Sequence, residues 1–277
     1  NWAIGLANKG YDIHCFTRNI GKNEIENSTA PRNLTFYYVS LPFGLEKLYS
    51  SSTLGLYLYY ILWQWFAYKK AKSIHYKMKF ELVHHVTWGS IQMGSFMYRL
   101  NLPFIFGPAG GGQVAPASFK EYFLEHWKTE ERREIVSKFL VRFNPAFKNM
   151  IRKASAVLVS NQETFDLVKI NGASNVDFTL DTALSDDFFS EVLPPYLIKA
   201  GTLKLLWVGR FLPRKGLLLL LEVMNNLKEY TQIELTVVGD GEMKKSFLDT
   251  IEAYQLQSTI HWVGSVPFKR VKDFYKT

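Results

Sequence analysis

Short apolar runs recur along the chain, and several of them are continuous rather than alternating. YDIHCFT, TFYYV at 35–39, FELVHHV at 80–86, PFIFG at 103–107, AVLVS at 156–160 and VDFTL at 176–180 each read as a strand, with helical or loop segments between them. Apolar character on both faces implies burial on both faces, and so a parallel sheet covered by helices. NWAIGLANKG opens the chain inside a helix, with Trp2, Ile4 and Leu6 sharing a face and Gly10 as the stop. A further helix is expected from about 161, where Ser160 and Glu163 have the spacing of a capping box. Strand and helix alternate, so a first strand and its loop are expected upstream of residue 1, and VPFKRVKDFYKT begins a helix that breaks off; the chain reads as an internal fragment.

EVLPPYLIKAG, residues 191–201, brings two prolines and a glycine before the next strand and marks a domain boundary, which gives domains at 1–195 and 202–277. Beyond it LKLLWVGR, IELTVVGD and IHWVGS are strand-like runs that each end in Val-Gly, at Gly209, Gly239 and Gly264, with helical segments between. That is a βαβαβ array, whose ligand crevice lies beyond the carboxyl ends of the strands. Glycine also simply ends strands well, and both readings stand at this point.

The run LGLYLYYILWQWFAY, residues 54–68, has the look of a membrane span but is shorter than the roughly 20 residues a bilayer core requires, and it contains Gln64. It reads as a buried helix, or, with Lys69 and Lys70 following, as one resting on a membrane surface. Composition narrows the partners: 277 residues at 47% hydrophobic can bury a large core, and a net charge of +8 favours anionic ligands. The charges are scattered and no nucleic-acid-reading motif is present, which argues against nucleic acid. The single cysteine, Cys15, forms no disulfide within the chain and fits a reducing compartment.

Candidate chemistry lies in two loops. In VGRFLPRKGL, Arg210 follows a strand end and Lys215 precedes a helix, whose free N–H groups and dipole already favour an anion, so the pair suits a diphosphate. VVGDGE supplies a second glycine turn on the neighbouring strand. The other loop, IFGPAGGGQV at 105–114, fits neither a P-loop nor a GxGxxG fingerprint and reads as either a tight turn or a binding edge. His84 and His85 are adjacent on one strand and point to opposite faces, so at most one serves a site.

VGRFLPRKG, VVGDGE and IHWVGSVP resemble, in order and spacing, the nucleotide-binding half of GT-B glycosyltransferases of family 4, also called group 1; the opening helix, glycine and strand and FELVHHVTWGS are similar to the family's first half, and GPAGGGQVAP resembles the acceptor-side loop of one branch. The resemblance implies an α/β GT-B fold of two Rossmann-like domains facing a cleft, the second incomplete here. It implies a hexosyltransferase that moves a sugar from a nucleotide-diphosphate sugar to a sugar or lipid-linked acceptor, with retention, in polysaccharide or glycolipid synthesis. No cofactor and no metal is implied, because Arg210 and Lys215 would stabilise the leaving diphosphate. Gly209, Gly239, Gly241, Glu242, Gly264 and Val266 would lie near the donor. Gly110, Gly111 and Gly112 would form a flexible acceptor edge with Gln113 and His85. A cytoplasmic location, with peripheral contact at the inner membrane face, would follow. Two departures stand against the pattern: Gly107 and Pro108 occupy the place of a histidine found in many members, and the acidic pair that grips donor sugar and ribose would lie beyond residue 277. The chain by itself is therefore expected not to turn over. Two alternatives differ in class: a non-catalytic protein binding anions or a membrane surface, and a sugar-nucleotide epimerase of GT-B fold.

Overall fold

The computed structural model describes residues 2–181, 202–229 and 233–275. Among them, strands pair in three sheets that are parallel throughout. β1 (Ile13–Arg18) pairs with β2 (Leu34–Val39); β3 (Val83–His85), β4 (Phe104–Ala109), β5 (Ala156–Val159) and β6 (Val176–Phe178) lie in that order; and β7 (Leu203–Val208), β8 (Ile233–Val238) and β9 (Ile260–Gly264) form the third. The chain divides into two compact units, one of residues Asn1–Gln113 and Glu134–Ala183, the other of Val114–Arg133 and Leu184–Thr277. The boundary segment 191–201 lies outside the described residues. Residues 114–133 group with the second unit, although they sit far upstream of that segment.

The central apolar runs are strands covered on both faces, whereas the outer ones, β6, β7 and β9, leave Phe178, Leu203 and Val263 exposed. β4, inside its sheet, buries Phe104, Phe106 and Ala109, and these pack with Phe147, Met150 and Ile151 of the helix Pro145–Lys153 and with Val157 and Val159 of β5. Pro108 donates no N–H to a ladder, and it falls where the register of β4 against β5 shifts, between Phe106 and Ala109. The third sheet has its own core, built on Phe211, Leu221, Leu235, Val237 and Phe247. The runs at 80–86 and 176–180 give shorter strands than expected, since pairing is limited to Val83–His85 and Val176–Phe178, and Leu82 and Leu180 are exposed.

Residues 54–68 belong to a longer helix, Thr53–Met78, whose start is capped by the Ser52 hydroxyl accepting from the Gly55 N–H at 3.0 Å. Tyr59, Tyr60, Gln64, Ala67, Tyr68 and Ala71 form its buried stripe at helical spacing. Gln64 points inward and donates to the Gly94 carbonyl at 3.2 Å. Leu54, Leu58 and Ile61 are exposed, which is why the run looks apolar all round. Among the described residues no helix is long and apolar enough to cross a membrane.

The helix expected from about 161 is Gln162–Ile170, but its cap is Asn161 rather than Ser160. The Asn161 Oδ1 accepts from the Thr164 N–H at 2.9 Å and from the Thr164 hydroxyl at 2.7 Å. Ser160 instead directs its hydroxyl to the Ala109 carbonyl at 3.3 Å. Asn161→Ala is therefore expected to cost about 1 kcal/mol in urea unfolding and Ser160→Ala less than half of that; equal losses would return the cap to Ser160.

Candidate functional site

In the second unit the three strand-end glycines are brought side by side. The Gly209 N–H bonds the Val238 carbonyl at 3.0 Å, and the Gly239 N–H bonds the Gly264 carbonyl at 2.8 Å. Position 239 accepts only glycine, because a Cβ there would stand 1.8 Å from the Gly209 carbonyl oxygen, and its φ is +145°. The sheet thus ends in bare backbone, and the indole N–H of Trp262 holds the edge by donating to the Gly239 carbonyl at 2.9 Å.

The loop after β7 is anchored on this edge by Phe211, which stands next to Arg210. Its ring is fully buried against Trp207, Phe247 and Trp262. Its N–H donates to the Asp240 carbonyl at 3.0 Å, and its own carbonyl accepts from the Met243 N–H at 3.1 Å. Both sides of one peptide neighbour are thus tied to the turn that carries Gly241 and Glu242. Arg210 and Lys215 are exposed; Lys215 closes a single helical turn, Pro213–Lys215, and Gly216 at φ +67° leads into the helix Leu217–Asn226. Glu242 is exposed on the turn, and Val266 is half-buried two residues past β9.

Two contributors at this edge carry little signal in the sequence. Lys244 places its ammonium 4.6 Å from the centre of the Trp262 ring and 3.4 Å from an Asp240 carboxylate oxygen, beside the Gly239–Gly241 turn. Only the four-residue spacing from Asp240 hinted at it. Tyr122 donates to the Glu222 carboxylate at 2.5 Å, on the helix that follows Lys215, and this bond pushes the phenol up to about 12. No local pattern links residues one hundred positions apart.

The loop 105–114 of the first unit is held by its own packing. The Gly110 N–H bonds the Gly89 carbonyl at 2.7 Å, Gly110 in turn accepts from the Ile91 N–H at 3.1 Å, and the Gly112 N–H bonds the Thr164 hydroxyl at 3.0 Å. A Cβ at Gly112 would meet the Glu163 carbonyl at 2.5 Å. The Gln92 side chain donates to the Gly111 carbonyl and to the Ser137 hydroxyl. The glycines of this loop are pinned rather than flexible, and a bulky residue at 111 would collide with Gln92. Gln113 is exposed and follows them directly.

His85 is buried, with Nε2 3.1 Å from the Tyr60 hydroxyl and Nδ1 2.7 Å from the Ser95 hydroxyl. Both ring nitrogens are used inside the fold, and the Tyr60 oxygen accepts in addition from the Trp88 N–H at 2.9 Å. Burial lowers this histidine to about 4, so it is neutral at pH 7. His84 bonds the Gly107 carbonyl through Nε2 at 2.7 Å and is lowered as well, chiefly by burial.

Residues 190–277 match the model of the family described as glycosyl transferases group 1. A stretch of 67 residues is 34% identical to the phosphatidylinositol N-acetylglucosaminyltransferase GPI3 subunit of Saccharomyces cerevisiae, covering 24% of this chain and 15% of that protein. The structure is similar to a glycosyltransferase from Rickettsia africae, with a TM-score of 0.55 at 15% identity over 98% of this chain and 64% of the other. It is also similar to WaaG, a glycosyltransferase involved in lipopolysaccharide biosynthesis (TM-score 0.52, 15% identity, 98% and 66% covered). Anabaena HepE in complex with UDP gives 0.51 at 15% identity, over 91% and 61%. The fold is GT-B.

The buried histidine makes a measurable contribution to the pH dependence of stability. Below about pH 6.5 the unfolded chain takes up a proton that buried His85 refuses until about pH 4, so the stability present above 6.5 is lost as pH falls through that window. Between pH 7.5 and pH 5 the loss should be about 2 kcal/mol larger in the wild type than in His85→Gln, read from urea midpoints at the two pH values. Equal losses would mean that the ring is not the buried neutral group described.

Proposed function

We propose, for a GT-B chain that carries a group 1 glycosyl transferase segment over residues 190–277, that the protein transfers a hexose from a nucleotide-diphosphate sugar to an acceptor. In this reading the second unit takes the donor, the first takes a sugar or lipid-linked acceptor, and transfer proceeds with retention in polysaccharide or glycolipid synthesis. The observation that supports it is the loop after β7, fixed by Phe211 to the Gly239–Met243 turn while it presents Arg210 and Lys215 to solvent beside a bare glycine edge.

The chemistry follows from charge. As the glycosidic bond to the donor breaks, negative charge grows on the departing diphosphate. Two cations already in position stabilise that charge more than they stabilise the bound donor, and this difference lowers the barrier. Bare backbone at positions 209, 239 and 264 lets the nucleotide approach the sheet edge closely. Lys244 stands at the same edge as well, its charge shared with Asp240. No cofactor has a part in this scheme, and Arg210 and Lys215 do the work a divalent ion would do.

A membrane-surface contact belongs to the same proposal. Leu54, Leu58 and Ile61 lie on one exposed side of the helix Thr53–Met78, with Lys69 and Lys70 further along. A lipid-linked acceptor and a cytoplasmic-face location would both be served by it.

UDP is the first probe for the donor site. Lys215→Ala and Arg210→Ala should each weaken UDP binding by about tenfold or more, since a charge-assisted contact is worth on the order of 1.5 to 3 kcal/mol; calorimetric titration measures it, and changes within twofold for both would refute the diphosphate assignment. On the acceptor side, the pinned glycines make Gln113 the position to alter. Gln113→Ala should raise the acceptor KM several-fold while leaving UDP affinity alone, and an unchanged KM removes Gln113 from the acceptor contact. Sugar release or epimerisation that needs no acceptor would favour the epimerase alternative.

A further inference from the structure

Arg18 is the last residue of β1, at the carboxyl end of a parallel strand, where open α/β sheets place their ligands. Its guanidinium is half-buried and lies 3.7 Å from the centre of the Tyr49 ring. The Nε–H donates to the Tyr59 hydroxyl at 3.2 Å, and Tyr59 is 2% exposed, so this partner is rigid. Tyr49 and Tyr59 meet edge to face at 5.3 Å, which closes an aromatic bracket around the arginine. The Tyr59 hydroxyl bonds in turn to Glu46, whose Oε1 also accepts from the Leu41 N–H at 2.8 Å.

What this bracket lacks is a direct ion pair. Among the described residues no carboxylate lies within 4 Å of Arg18; its side-chain partners are Tyr49 and Tyr59, and Glu46 is linked to it only through the Tyr59 hydroxyl. A partly desolvated guanidinium without an anion is costly, and a stacked, oriented one presents a planar fork that matches phosphate oxygens. Tyr59 belongs to the buried stripe of the helix Thr53–Met78, so the bracket is held from the packed side of that helix.

We propose that Arg18, held by Tyr49 and Tyr59, is a phosphate subsite of the first unit, which takes the phosphate or phosphodiester group of the acceptor. Its role toward an acceptor rests on the sugar-transfer reading; its affinity for phosphate does not. The shared chemistry is an anionic phosphate ester, borne either by an amphiphile or by a soluble phosphorylated sugar.

The test is two-dimensional NMR of the full chain titrated with inorganic phosphate, against chloride at matched ionic strength. Saturable shifts in the millimolar range at the Arg18 side-chain N–H and at the amides of residues 18–20 and 47–49 support the subsite; shifts confined elsewhere, or none, overturn it. Arg18→Gln should weaken the response at least tenfold, and Arg18→Lys, which keeps the charge but loses the planar fork and its stacking, should weaken it several-fold; a wild-type response in Arg18→Gln overturns the proposal. Because the wild-type map stands alone, a variant that failed to fold would not shelter the idea. Glycerol 3-phosphate and dihexanoyl phosphatidic acid below its micelle concentration then separate the sources. Tenfold tighter binding of the lipid supports an amphiphile, and equal binding supports a soluble phosphate ester. Phosphate bound at Arg18 in a protein whose UDP affinity ignores Lys215 would leave this subsite standing and bring down the sugar-transfer reading.

Discussion

The strand ends of the second unit approach one another more closely than side chains allow, and much else follows from that contact. With Gly209 and Gly239 nearly touching, the edge of the sheet consists of peptide groups alone, which a ligand can reach without displacing anything. The same proximity brings the loop after β7 within hydrogen-bonding distance of the turn after β8, and Phe211 makes both of those bonds. A buried aromatic between two exposed cations solves a mechanical problem. The charges remain in water, where they cost little, while the backbone that carries them cannot drift.

The first unit divides its polar groups differently. Its glycine loop, its two strand histidines and Gln92 turn hydrogen bonds inward, to partners within the fold. Arg18 differs from them: it ends a parallel strand, is stacked on Tyr49, and among the described residues has no carboxylate at ion-pair distance. The second unit thus offers cations on a rigid backbone edge, and the first a stacked guanidinium at a strand end.

Strand positions and the parallel sheets were legible because burial on both faces writes itself as unbroken apolar runs. The Val-Gly endings were legible too; at Gly239 a close backbone approach excludes any side chain, and at Gly264 a φ of +84° favours glycine. Other features had no local trace. Asn161 and Ser160 are both good caps by type, and only the geometry of Thr164 decides between them. The loop GPAGGGQV reads as open because glycine is common both where chains flex and where they pack tightly, and the neighbours that pin it, Gln92 and Thr164, are distant in sequence. Tyr122 and Arg18 acquire meaning only from partners brought to them by the fold.

Residues 114–133 leave the first unit, join the second, and hand the chain back at Glu134. The second unit is therefore not a contiguous module. A recombination event, or a domain swap by an engineer, that cut only in the segment before β7 would carry off the sheet and its glycine edge but leave Tyr122 behind, stripping Glu222 of its bond and uncovering part of the core on which Tyr122 rests. Inheritance of the two halves as a pair, rather than free exchange of donor specificities between relatives, is what such interleaved wiring favours.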